Sequence, residues 1–338
     1  MNIQDSTMKV SKETERSESM ARKHGNQATG QGDKKRPLSY YLKRDKFIYL
    51  LMLPGLIYYI LFKYLPMFGI VIAFQDYKPF FGIEGIFTSQ WVGFKHFMRF
   101  FQSAYCLRLI KNTLLLSVYT LVWGFPLSIV LALFINELRH EKFKKIVQTV
   151  SYLPHFLSAV IVCGIIRTMT GTDGGLINAI IVQFGGEPIF FLGETSWFRS
   201  IYTISDVWQT IGWNSIVFIA AMTGIDKELY EAAKVDGAGV LKRMWYITLP
   251  GIMPVVTIML IMRVGNILNV GYEKVLLLYS PQIYSVSDII STYVYREGLI
   301  NQNYSFATAV NMFTSVISLI MVFGTNSITK KLGQEGIW

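Results

Sequence analysis

Charge is scarce in this sequence. Asp, Glu, Lys and Arg make up 16% of 338 residues, where a water-soluble domain carries about 25%. That deficit, with 52% hydrophobic residues, excludes a disordered regulator and a nucleic-acid module. Cysteine is scarcer still. Cys106 and Cys163 are the only two, which excludes a disulfide-built scaffold, and both read as small buried hydrophobes. His24, His96, His140 and His155 are scattered without metal-ligand spacing, and His140-Glu141 has no second histidine at the offset a zinc helix needs. No Gly-x4-Gly-Lys-Ser/Thr run occurs, so the chain lacks a phosphate-binding loop of its own. No catalytic set emerges, and the chain reads as a non-enzyme without cofactor or metal.

Long apolar runs fill the rest. Residues 1–46 are rich in Ser, Gln, Gly, Lys and Glu, and lack the apolar core of a signal peptide. They read as a basic, mobile, water-side arm. Six apolar stretches follow, at 47–74, 113–135, 146–166, 201–225, 247–270 and 306–328. Each has the roughly 20 residues that a helix needs to cross a bilayer. None shows the period-2 alternation of a strand. The expected fold is therefore all-α and integral to the membrane. It has six transmembrane helices over residues 47–329 and a short tail at 330–338. Pro54, Pro66, Pro126, Pro154 and Pro254 interrupt the spans, tolerable where neighbours shelter the freed carbonyls.

An even number of spans leaves both termini on one side. Of the 32 Lys and Arg residues, 21 fall in residues 1–46, 136–146, 226–246 and 329–338, and nine in the opposite loops. The positive-inside bias places both ends in the cytoplasm. The net charge of +10 is then a topology signal and not a nucleic-acid footprint. In the opposite loops, Trp91, Phe94, Phe97, Phe100 and Phe101 mix with Lys95, His96 and Arg99. They read as an amphipathic helix at the interface, with a docking surface for an external partner as the other reading.

Two groups of residues carry functional expectations. The stretch from Glu231 to Pro250 reads EAAKVDGAGVLKRMWYITLP. Asp226 can cap a short helix, Ala232 and Ala233 are small enough to admit another surface, and Gly237 and Gly239 permit a sharp turn. A second helix carries Leu241, Trp245 and Leu249 on one side and Lys242 and Arg243 in water, and Pro250 restarts the chain as a span. The whole is a helix–turn–helix outside the membrane, suited to mechanical coupling. The second group lies inside the spans, where polar residues are costly and point to a cavity. Arg263 sits roughly 20 Å beyond Pro250 along a helix, with Asn266 and Asn269 at i+3 and i+6. The preceding span offers Gln209, Gly212 and Trp213 on one face. Amide, guanidinium and aromatic groups suit sugar hydroxyls and ring faces. The alternatives are an Arg263 pair with a neighbouring helix and packing roles for the aromatics.

Glu-Ala-Ala, Asp-Gly-Ala and Ile-x-Leu-Pro at this spacing resemble the EAA loop of permease subunits in ATP-binding-cassette importers. From about Phe47 the chain is similar to the carbohydrate-uptake branch of that family, and most to its polysaccharide and complex-oligosaccharide permeases. The resemblance extends to Tyr64-Leu-Pro-Met-Phe-Gly-Ile-Val-Ile-Ala-Phe-Gln-Asp-Tyr77, Trp91-Val-Gly, Asn112-Thr-Leu and Arg263-Val-Gly-Asn-Ile-Leu-Asn269. It implies a type I importer permease in a bacterial cytoplasmic membrane. It also implies a second permease subunit, two ATPases that bind Mg-ATP, and an external solute-binding protein delivering an oligosaccharide. Within that family the loop at 226–250 seats against the ATPase. This would give Glu231, Ala232, Ala233, Asp236, Gly237, Leu249 and Pro250 the coupling role. An ion-coupled transporter acting alone is the other class considered. It requires an intramembrane carboxylate, for which Asp206 is the nearest candidate.

Overall fold

The computed structural model describes residues 44–331, 333, 336 and 337. The expected arm lies outside the described residues up to Lys43, as does much of the 330–338 tail. The described residues are helical. Their one β feature is an isolated bridge between Gln75 and Trp91, in keeping with the absence of alternating patterns in the sequence.

The chain divides into two units, Met1–Met67 and Phe68–Trp338. In the first, α1 (Lys46–Tyr59) carries Pro54 internally and passes into a wider π turn at Ile60–Tyr64. It is apolar on every side, as a lipid-facing helix is.

The second unit holds the remaining helices. After a short amphipathic helix, α2 (Lys95–Gln102), come α3 (Cys106–Glu137), α4 (Glu141–Tyr152), α5 (Ala159–Thr170), α6 (Leu176–Gln183) and α7 (Phe198–Met222). Beyond them lie α8 (Lys227–Val235), α9 (Val240–Arg243), α10 (Met253–Gly265), α11 (Tyr272–Leu278), α12 (Ile290–Tyr295) and α13 (Tyr304–Lys331). Three apolar clusters tie them together. Phe100, Leu109, Tyr293, Phe306 and Val310 join α2, α3, α12 and α13. Leu116, Cys163, Phe198, Tyr202, Val275 and Ile289 join α3, α5, α7 and α11. Ala132, Phe218, Met222 and Ile252 close the far end of α3 and α7. Both cysteines are buried and free, as expected of small hydrophobes.

Two spans differ from the sequence expectation. Among the described residues four helices are long and apolar enough to cross a membrane: Lys46–Phe74, Cys106–Glu137, Val240–Gly265 and Tyr304–Lys331. The stretch at 146–166 is not one straight helix. A 3-10 turn at Leu153–Phe156, with Pro154 in its first turn, continues α4, and after the extended Leu157 and Ser158 α5 leaves at 97°. At 25 residues, α7 is long enough, roughly 37 Å. Its composition is too polar to mark it as a span, because Asp206, Gln209, Thr210 and Asn214 lie within it.

The segment 271–303, expected as an outer loop, folds back into the bundle. Lys274 and Asp288 are both buried, and each charge is paired. Lys274 Nζ lies 3.1 Å from Asp206 Oδ1 and Arg296 Nη2 lies 2.8 Å from Asp288 Oδ2. Burying such charges is tolerable only with partners. Asn112 pins the segment to α3. Its Nδ2 donates to the carbonyls of Ser285 (3.0 Å) and Asp288 (3.1 Å), and its Oδ1 accepts from Arg199 Nη2 (3.2 Å). Next to it, Thr113 Oγ1 accepts from Ile290 N at 3.0 Å. The Asn112-Thr113 pair is thus a clasp that holds this segment on α3. Asn112→Ala orphans both carbonyls. It should cost about 1–3 kcal/mol and lower the thermal midpoint of the purified protein in detergent.

A second clasp holds 75–96. His96 Nε2 lies 3.0 Å from the Gln75 carbonyl. Since a carbonyl only accepts, Nε2 carries the hydrogen, and the buried Nδ1 has no partner. Burial pushes the imidazole below its ordinary value, against smaller opposing effects from Gln75 and Asp76. The folded state therefore binds its proton less readily than the unfolded chain. The contribution is whole above the ordinary histidine range, about pH 6.5, and is lost as pH falls through the depressed folded value. The protection of the Val92 and Gly93 amides, measured against the intrinsic exchange rate at each pH, should fall on acidification, and His96→Gln, which donates but does not titrate, should remove that dependence.

Candidate transport pathway and coupling surface

The residues expected to line a pathway separate into two groups. Gln209, Gly212 and Trp213 face the α4–α5 elbow. Gln209 Nε2 donates to the Leu157 carbonyl at 2.9 Å, capping the backbone freed by the break. Trp213 stacks on His155, with centroids 4.6 Å apart and planes 6° from parallel. Gly212 lies so close to α4 that an added Cβ would sit 2.0 Å from the Ser151 carbonyl oxygen. Only a residue without a side chain allows that approach.

Arg263, Asn266 and Asn269 do converge, though not as one helical stripe. The helix ends at Gly265, with Asn266 as its C-cap. A turn in which the Asn269 amide donates to the Asn266 carbonyl (2.9 Å) carries the chain onward. The turn brings all three to a cavity of about 180 Å³, shared with Ser117 and Thr120 of α3 and Tyr202, Asp206 and Thr210 of α7. Asp206 already serves Lys274, and no carboxylate among the described residues lies within ion-pair distance of Arg263. Its guanidinium faces the cavity with hydrogen-bond capacity to spare. Thr210 and Tyr202 escape a sequence reading, because ordinary span residues give no signal of which neighbour they meet.

The loop at 226–250 takes the expected form. Asp226 Oδ1 accepts from the Glu228 amide at 2.9 Å and caps α8. Gly237 adopts φ +75°, a left-handed turn open to glycine, and the Ala238 amide closes it on the Ala233 carbonyl at 2.8 Å. Gly239 is extended and begins α9. Glu231, Ala232, Asp236 and Gly237 are exposed, Ala233 and Leu249 are half-buried, and Pro250 is exposed. Around them Leu229, Val235, Leu241, Trp245 and Tyr246 present apolar surface. Arg243, expected in water, is turned inward. Its Nη1 donates to the Ala238 carbonyl at 3.0 Å and its Nη2 lies 3.6 Å from Glu137 Oε2 at the end of α3. Tyr230 Oη and Thr248 Oγ1, 2.9 Å apart, tie α8 to the chain entering α10. The loop is thus braced against α3 and across its own two ends while its glutamate and small residues stay open.

A polar cavity inside a helical bundle, joined by continuous helices to a rigid external loop, defines a membrane transport subunit. Residues 124–333 match the family described as binding-protein-dependent transport system inner membrane component. The chain belongs to that family and is a permease subunit of an ATP-binding-cassette importer, a multi-pass protein of the inner membrane with the type I permease fold. ATP hydrolysis resides on separate subunits. Among its relatives, the polygalacturonan/rhamnogalacturonan transport system permease protein YteP of Bacillus subtilis (strain 168) is 48% identical over 306 residues, 90% of this chain and 94% of that one. Protein LplB of the same organism is 46% identical, covering 88% of this chain and 92% of LplB. A solved bacterial alginate ABC transporter, in complex with an alginate pentasaccharide-bound periplasmic protein, contains a chain that superposes with a TM-score of 0.80. The identity is 40%, over 89% of this chain and 99% of that one.

Because Gly212 sets the α4–α7 distance, Gly212→Val should force the elbow apart. The expected cost is about 1–3 kcal/mol, read as a lower thermal midpoint in detergent.

Proposed function

We propose that this permease carries an acidic oligosaccharide derived from a polysaccharide, handed over by an external solute-binding protein. In this reading the chain pairs with a second permease, a relative of itself, and with two ATPases that bind Mg-ATP. The observation that carries it is the Arg263 guanidinium, with no carboxylate among the described residues within ion-pair distance and set in a cavity with Asn266, Asn269 and Thr210. A planar cation beside amides and a hydroxyl suits a uronate, whose carboxylate takes a bidentate pair and whose hydroxyls take the amides. The relatives' names, polygalacturonan/rhamnogalacturonan and alginate, support the same class. His155, Gln209 and Trp213 form the elbow face of the pathway. A self-sufficient ion-coupled transporter is set aside, since Asp206 is held by Lys274.

The topology we infer has six crossings, with α4–α5 as a broken third and α7 as the fourth, and both termini in the cytoplasm. Residues 226–250 then form the coupling loop between the fourth and fifth. Glu231 and the small residues Ala232, Ala233 and Gly237 seat in the ATPase, with Asp236, Leu249 and Pro250 holding the turn and its exit. The Arg243–Glu137 pair passes its displacement to α3.

The test is uptake of labelled trigalacturonate by the four-subunit complex in proteoliposomes supplied with its binding protein and ATP. The double variant Arg263→Ala, Asn266→Ala should lose about tenfold or more, the cost of one charge-assisted hydrogen-bond set. Uptake at the wild-type rate would refute the assignment. In the same vesicles Glu231→Ala with Gly237→Val should abolish uptake while the complex still assembles and the ATPases still turn over ATP. Coupled transport with that pair altered would overturn the role of the loop.

A further inference from the structure

We propose that the groove between α3 and α7 is a second saccharide subsite, in which Arg199 receives a uronate carboxylate, Thr203 a hydroxyl, and Trp123 and Trp208 the apolar ring faces. It rests on the acidic-oligosaccharide reading above and adds a place that reading does not use. The groove encloses about 830 Å³, within the range of small-molecule sites. It shares no lining residue with the Arg263 cavity.

Its floor holds polar groups that the protein leaves unanswered. Thr203 is more than nine-tenths buried, yet its Oγ1 has no hydrogen-bond partner. Arg199 Nε is likewise buried without one. The guanidinium has five N–H donors, and among the described residues its one acceptor is Asn112 Oδ1 at 3.2 Å. No carboxylate among them lies within ion-pair distance. The Asn112 bond orients the fork and leaves its remaining hydrogens for something from outside the chain. A surface made only for helix packing or for acyl chains gains nothing from an unpaired guanidinium and hydroxyl, which cost free energy in an apolar setting. A ligand that supplies acceptors removes that cost.

The walls match the rest of such a ligand. Tyr119, Trp123 and Trp208 line the groove, and all three rings are substantially exposed. Arg199 is the second residue of α7, and Trp208 lies nine residues further on, roughly 14 Å along the axis. The groove therefore runs lengthwise, with its cation near the α7 N-terminus and its aromatic faces deeper. A sugar chain ending in a uronate sets its carboxylate at Arg199 and its further rings against the tryptophans; an anionic lipid presents the same order of charge and apolar surface, and the test below separates the two.

Uptake by the complete importer in proteoliposomes tests this with two probes, trigalacturonate and its methyl ester, which has the same rings without the charge. Arg199→Gln should lower trigalacturonate uptake about tenfold at subsaturating concentration and leave ester uptake within about twofold, and Arg199→Lys should recover part of the loss. Equal loss of both probes would assign Arg199 a purely structural role through Asn112 and overturn the proposal, as would unchanged uptake of the acid. Should Arg199→Gln fail to assemble, Thr203→Val decides, with a loss of about threefold or more expected and wild-type uptake refuting the subsite. Normal uptake accompanied by loss of a co-purifying anionic lipid assigns the groove to lipid and also overturns it. If the wild-type complex moves neither probe, the acidic-oligosaccharide reading itself fails, which these variants do not confuse with failure of the groove.

Discussion

Hydrocarbon offers no hydrogen bonds, so each polar group that a chain carries into a bilayer must find its partner within the protein. That constraint organises this permease around α7. Asp206 takes Lys274, Gln209 takes the Leu157 carbonyl, and Arg199 takes Asn112. Each bond draws a different segment onto the same helix: the stretch after α10, the α4–α5 elbow, and α3. A helix too polar to be recognised as a span by composition is the axle on which the apolar helices are mounted.

The same constraint marks where function can reside. Once internal partners are assigned among the described residues, some of the polar groups left over lie beside cavities. Arg263 stands without a carboxylate in the one, and Arg199 and Thr203 stand without enough acceptors in the other. At the water side the logic reverses. Glu231 and Ala232 stay exposed while Arg243, Tyr230 and Thr248 are consumed in bracing. In the coupling role proposed for it, the loop needs to be stiff behind and open in front, or the work of nucleotide closure would dissipate within it.

Much of this was legible in the residues. The helical class, the free buried cysteines, the Asp226 cap and the turn at Gly237 follow from local chemistry, and the structure contains them. Other expectations met neighbours that a sequence does not display. Gly212 and Trp213 share a face of α7, but the face looks toward Ser151 and His155 rather than toward Arg263. Asn266 and Asn269 lie near Arg263 because the helix ends at Gly265, not because it continues. Lys274 and Arg296, counted as loop charges, are half of two buried pairs.

Local rules act over a turn or two of chain, so hydropathy, caps and glycine conformations were determined by the sequence alone, together with the membrane class and the coupling motif. Partner choice acts across the bundle. Asn112 reaches Ser285 and Asp206 reaches Lys274 over separations that no periodicity encodes, and the break at Leu157–Ser158 takes an angle that the local sequence does not state. Which polar residues were spent on the fold, and which remained for a ligand, was decided only when the helices came together.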